Sequence, residues 1–271
     1  MLMDFSRRRL GAGVFAAAGL AALAPLVRAA PAAEGSEGLP VFSAINKSGR
    51  QRMLTQRLGK AWAMQALDVE LELAARIRRQ SEALFANQLG ELQRTTPTQE
   101  IAAAVTALAQ AWENYRGNLT LVPGKDNAAR VYAAGDQTLQ RAQELTALYE
   151  KRLGTPQGRL VNIAGRQRML SERMARAFYF ARFDIAADTA RDMETAHKEF
   201  ADGLQELVSA PQNTPGIKRE LALAEQQWVF FQAAIDGHIQ GESADKSVAT
   251  TSERILEQLN TITTKYEALT G

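Results

Sequence analysis

Residues 45–62, INKSGRQRMLTQRLGKAW, return at residues 161–178 as VNIAGRQRMLSERMARAF. At a spacing of 116, Asn46/Asn162, Gly49/Gly165, Arg50/Arg166, Gln51/Gln167, Arg52/Arg168, Met53/Met169, Leu54/Leu170 and Arg57/Arg173 are identical. The spacing continues downstream without identity. Ile101, Val105, Leu108, Trp112, Tyr115 and Leu119 map on to Ile217, Leu221, Ala224, Trp228, Phe231 and Ile235. Leu139, Leu145 and Tyr149 meet Leu256, Ile262 and Tyr266 one residue further on. The chain is therefore read as an internal duplication, which organises everything that follows.

Each copy reads as helices. Ile101 to Leu119 steps by fours and threes, one apolar stripe of an amphipathic helix. Pro97 and Pro215, each preceded by threonine, mark helix starts, with Thr as N-cap and Pro in the first turn. Four helices are predicted per copy, at about 41–66, 68–94, 98–121 and 126–153, then about 158–182, 184–209, 216–239 and 243–269. The predicted fold is all-α, two tandem up-down four-helix bundles related by internal duplication. The predicted domains are residues 33–153 and 154–271. Gly154, Pro156 and Gly158 break the chain between the copies. A turn there would lay the first helix of copy two beside that of copy one, whereas a continuous helix would stack the bundles end to end.

Residues 1–32 are set apart as an export signal. Arg7, Arg8 and Arg9 precede an apolar run rich in Ala and Gly, and small residues suited to cleavage follow at Ala29 and Ala32. Ser6-Arg7-Arg8-Arg9-Leu10 resembles a twin-arginine signal, which implies a periplasmic product. The net charge of +2 belongs to that segment: without Arg7, Arg8, Arg9, Arg28 and Asp4 it becomes −1. No basic face is left for nucleic acid, and no second apolar run is long enough to hold the cleaved product in a membrane. Zero cysteine excludes thiolate chemistry and disulfides. His197 and His238 are isolated, so no metal set, cofactor loop or catalytic triad is expected, and no catalytic residue is assigned.

On a helix, Ile45, Ser48, Gly49, Arg52, Gln56, Gly59 and Ala63 share one side, as do Val161, Ala164, Gly165, Arg168, Glu172, Ala175 and Tyr179. Small residues at that spacing admit a second helix. An arginine in the middle of such a face is costly to bury unless an anion meets it. If the two faces pair, Arg52 and Arg168 repel until an oxyanion sits between their forks. The bland alternatives are solvated arginines at Arg57 and Arg173, bracing by Asn46 and Asn162, and core packing by Trp112, Trp228, Met53 and Met169.

The repeated N-x-A/S-G-R-Q-R-M-L-S/T-x-R-L/M pattern, at residues 46–58 and 162–174, resembles the motif of the PilJ-type sensor family. That family includes the periplasmic part of NarX-like nitrate/nitrite sensor kinases. The resemblance implies a four-helix bundle whose first helices pair across a homodimer and hold nitrate or nitrite between them. The ligand-contacting arginine of NarX-like members falls here on Arg52 and Arg168, with Gly49, Gly165, Arg50 and Arg166 as helpers through close approach and local charge. This chain departs from the NarX-like pattern in carrying arginine rather than a small residue at 50 and 166, and in doubling the unit. It implies a non-enzymatic oxyanion sensor reporting to a membrane sensor kinase, chemoreceptor or transporter. A ligand-free helical adaptor is the alternative.

Overall fold

The computed structural model describes residues 39–183, 185–236 and 241–269. The expected export signal at 1–32 and His238 lie outside the described residues. Eight helices follow one another among the described residues: α1 (Val41–Ala66), α2 (Leu71–Gln93), α3 (Gln99–Leu119), α4 (Lys125–Leu153), α5 (Pro156–Phe180), α6 (Ala186–Ser209), α7 (Pro215–Ile235) and α8 (Glu242–Ala268). They form two tandem four-helix bundles, α1–α4 and α5–α8, one for each copy of the repeat.

The apolar stripe read in α3 is its buried face: Ile101, Val105, Leu108, Trp112, Tyr115 and Leu119. In each bundle the tryptophan of the third helix stacks on a phenylalanine of the second. The ring centroids are 3.9 Å apart for Phe85–Trp112 and 4.4 Å apart for Phe200–Trp228. Two tyrosines tie the last helices to the ends of the second ones. Tyr149 donates to the Thr95 carbonyl and Tyr266 to the Leu207 carbonyl. Burial pushes both phenols up to about 12. The Thr214-Pro215 start of α7 is as predicted, with Thr214 accepting from Ile217 N–H. In α3 the capping threonine is instead Thr98, after Pro97 rather than before it. Thr98 takes the extended conformation an N-cap needs.

The junction between the copies is a turn. Gly154 closes α4 in the left-handed conformation, at φ 62°. Thr155 caps α5 by accepting from Gly158 N–H, and Pro156 begins the helix. The chain thus reverses, and α5 comes to lie against α1. The cross-links run Arg52 to Asn162 and Asn46 to Arg168, then Lys60 to Glu172 and Gln56 to Arg176. Both partners advance together along their helices, so α1 and α5 are parallel, related by a pseudo-twofold axis along the seam. From Ala44 to Met64 nearly every residue of α1 is buried, polar ones included, because α2, α4 and α5 surround it. No helix among the described residues is long and apolar enough to cross a membrane.

Candidate functional site: two arginines in the central seam

The face predicted from spacing is the α1–α5 seam, and all fourteen of its residues are buried. Arg52 and Arg168 lie at its centre, each 0 % exposed. The two are handled by the same device. Arg52 Nη2 donates to Asn162 Oδ1 at 2.7 Å, and Nη1 to Gln143 Oε1 of α4 at 2.6 Å. Arg168 Nη2 donates to Asn46 Oδ1 at 2.8 Å, and Nη1 to Asn260 Oδ1 of α8 at 3.0 Å. Each arginine therefore reaches across the seam to the other copy's asparagine and back to the last helix of its own copy. The asparagines are bracing residues: Asn46 donates to Glu267 and Asn162 to Glu150.

Every side-chain acceptor that Arg52 and Arg168 hydrogen-bond among the described residues is a neutral amide. Among the described residues Arg168 Nε has no hydrogen-bond partner. The motif glycines make room for the forks themselves. A Cβ at Gly49 would stand 3.0 Å from Arg52 Nη2; one at Gly165 would stand 3.3 Å from Arg168 Nη2 and 3.6 Å from Arg52 Nη2. The two Nη2 atoms thus converge over Gly165. Burial, and then the charge of Arg166, pulls the Arg52 guanidinium down to about 9 against the opposing pull of Glu150. Burial, Arg50 and Arg52 pull the Arg168 guanidinium well down too, with Glu267 opposing. A guanidinium still holds its proton at neutral pH, so these shifts express two poorly solvated positive charges.

Arg50 and Arg166 stand outside the seam. Arg166 pairs with Glu199 of α6 at 2.8 Å, half exposed, and Arg50 lines a cleft beside α2. They touch the central pair only through local charge. Gln51 and Gln167, between the arginines of each motif, are buried, and both amide atoms of each lack partners among the described residues. Arg57 and Arg173 are ties rather than solvated side chains. Arg57 binds both oxygens of Glu253 as well as Ser81, and Arg173 pairs with Asp192 at 2.6 Å.

Sequence reasoning missed a second layer two turns along the seam. Lys60 Nζ stands 2.9 Å from Glu172 Oε2 and 2.8 Å from Glu253 Oε1. Its counterpart Arg176 donates to Gln56 at 2.7 Å, to Asp136 at 2.8 Å and to the Tyr132 carbonyl, and lies over the Tyr132 ring. The signal was available. Lys60 and Arg176 are both cationic at the repeat spacing, and Gln56 and Glu172 were already on the paired face.

The comparisons agree with this duplicated helical unit. The family model described as "PilJ: Type IV pili methyl-accepting chemotaxis transducer N-term" matches residues 41–147 and again residues 154–263. The chain belongs to the PilJ family. It carries two copies of a PilJ domain, a sensor-type domain of chemotaxis and pilus transducers and a signalling rather than an enzyme family. No curated protein and no solved structure matches the chain. The PilJ motif of each copy is the segment that builds the α1–α5 seam, so the two copies pair within one molecule.

Proposed function

We propose that this PilJ protein is a periplasmic sensor that binds one small oxyanion, nitrate or nitrite, between Arg52 and Arg168. It would then report occupancy to a membrane signalling or transport partner. The observation that carries the reading is a pair of fully buried guanidiniums whose side-chain acceptors are all neutral and whose Nη2 atoms converge over a glycine. Burying like charges together is costly, and an anion placed between them replaces neutral acceptors by a charged one. Two forks match the several oxygens of a planar oxyanion better than they match a halide. Each fork is held by both copies, so occupancy would alter how the bundles bear on each other, a movement a partner can read. Export through the twin-arginine route, the division at 153/154 and the helper roles of Gly49, Gly165, Arg50 and Arg166 belong to the same proposal.

Calorimetric titration with nitrate and nitrite, with chloride and sulfate as controls, tests it. Saturable binding of one anion per chain is expected, and Arg52→Ala should abolish it although Arg168 remains. Unchanged affinity in that variant would sink the shared site. No binding of any oxyanion would favour the adaptor, with Asn46, Asn162, Gln143 and Asn260 as the arginines' final partners.

A further inference from the structure

The pseudo-twofold axis is also broken at the surface beside α2. Between α1, α2 and α8 lies a cleft of about 600 Å³, a size typical of small-molecule sites. Met53, Leu54, Leu73, Leu84 and Leu256 give it apolar walls, and Arg50, Arg76 and Arg254 stand among them.

The second copy shows the same surface with acids of its own. Phe85 and Phe200 occupy equivalent stacks on Trp112 and Trp228, and Leu92 and Leu207 are buried in the same register. That register sets Leu73 against Asp188, Arg76 against Arg191 and Leu84 against Glu199. In copy two, Asp188 pairs with Arg191 at 2.8 Å and Glu199 with Arg166, the counterpart of Arg50, also at 2.8 Å. Copy one keeps both arginines and replaces both acids with leucine. On α8, Arg254 stands where α4 has Gln137, in the register that aligns Glu253 with Asp136.

Among the described residues no ion pair or hydrogen bond engages Arg50, Arg76 or Arg254. The acids whose charge reaches Arg50, Glu267 and Glu91, bond Asn46 and Lys47 respectively, and Glu253 holds Arg57 and Lys60. Glu257 is the remaining acid of the lining, and four arginines, Arg57 included, face these two glutamates. Apolar walls with surplus guanidiniums suit an anion that carries a hydrocarbon body. The walls are methionine and leucine without an aromatic ring, which favours an aliphatic chain over a flat ring.

We propose that the α1–α2–α8 cleft is a second ligand site, separate from the arginine seam, for an aliphatic carboxylate whose head meets Arg50, Arg76 and Arg254. Titrating the full chain with decanoate and with decyltrimethylammonium, which share a hydrocarbon tail, tests head-group and cleft together. Saturable decanoate binding at one per chain, at least tenfold tighter than the cation, is expected. Leu73→Asp with Leu84→Glu gives copy one the acids of copy two and should weaken decanoate at least tenfold. Arg76 is exposed, so Arg76→Ala leaves the core untouched and should weaken it several-fold even if the double variant fails to fold. Equal binding of the two amphiphiles, undiminished affinity in a folded double variant or in Arg76→Ala, or no saturable binding would overturn the site.

Discussion

Two turns of helix, roughly 12 Å, separate two ways of burying a pair of cations in one seam. In the layer of Lys60 and Arg176 the charge is met from within. Lys60 has Glu172 and Glu253, and Arg176 has Asp136 and the face of Tyr132. Against burial, Asp136, Tyr132 and Tyr115 hold the Arg176 guanidinium above its ordinary value. In the layer of Arg52 and Arg168 the same helices supply only amides, and burial pulls both guanidiniums down. The first layer is neutralised by the protein's own carboxylates, while in the second the guanidiniums meet only amides, and it is there that the proposed oxyanion would sit. On the proposed function, stability and ligand binding fall to different turns of the same two helices.

Substituting one cation in each layer is the strongest way to break that contrast. Lys60→Met leaves Glu172 buried without its partner, and a buried pair broken on one side costs about 3 kcal/mol. For a chain of this size that lowers Tm by about 6–12 °C. Arg52→Met removes a charge that repels Arg168 and leaves only amides behind, so its Tm should fall by less than half as much. Equal losses in thermal unfolding would mean that the two layers do not differ in the way described.

How much of this was legible in the sequence follows from what repeats. The GRQRML block revealed the duplication, the paired face and the two central arginines, because a pattern kept at a spacing of 116 stands out against diverged surroundings. The helix ends came within a few residues because Thr, Pro and Gly punctuate them. The partners were not legible. Gln143 and Asn260, like Glu150 and Glu267, lie at a spacing of 117 on the last helices, which diverge, and polar residues on an amphipathic helix read as solvent-facing. The cleft was hidden for a further reason. It arises from leucines where the other copy has acids, at a spacing of 115, so only the packed registers of α2 and α6 align them.

The contrast sharpens if the arginine layer is given acids of its own. Gln143→Glu with Asn260→Asp keeps the hydrogen-bond geometry to Arg52 and Arg168 but makes each acceptor a charge. Hydrogen bonds to charged groups contribute about 1.5–3 kcal/mol, less the cost of partial burial, so Tm should rise by a few degrees. Oxyanion affinity should fall at least tenfold, since the charge an anion would supply is then already present. A stabilised variant that still bound nitrate at full strength would separate the two properties and break the assignment of binding to this layer.

The smallest effect expected is in acid, and its sign follows from the paired layer. Burial alone would raise the Glu253 carboxyl, but Lys60 and Arg57 outweigh it and hold it at about 2, below the ordinary 4.5. A carboxyl lowered by folding stabilises the fold fully above its unfolded value, and that contribution fades as pH falls from about 4.5 towards about 2. Glu172 runs the other way. Burial, ahead of the opposing Lys60, raises it, so ionising it works against the fold as pH rises and protonating it relieves that cost. Below about pH 4.5 the Glu253 contribution is the one being lost. Glu253→Gln should therefore lower Tm near neutral pH, and its deficit relative to the parent should shrink by a few degrees towards about pH 3. Arg52→Met, in the layer whose arginines bond no carboxylate, should keep a more nearly constant offset over the same range. Parallel Tm curves for Glu253→Gln and its parent would show that Lys60 and Arg57 do not depend on this carboxylate for their neutralisation.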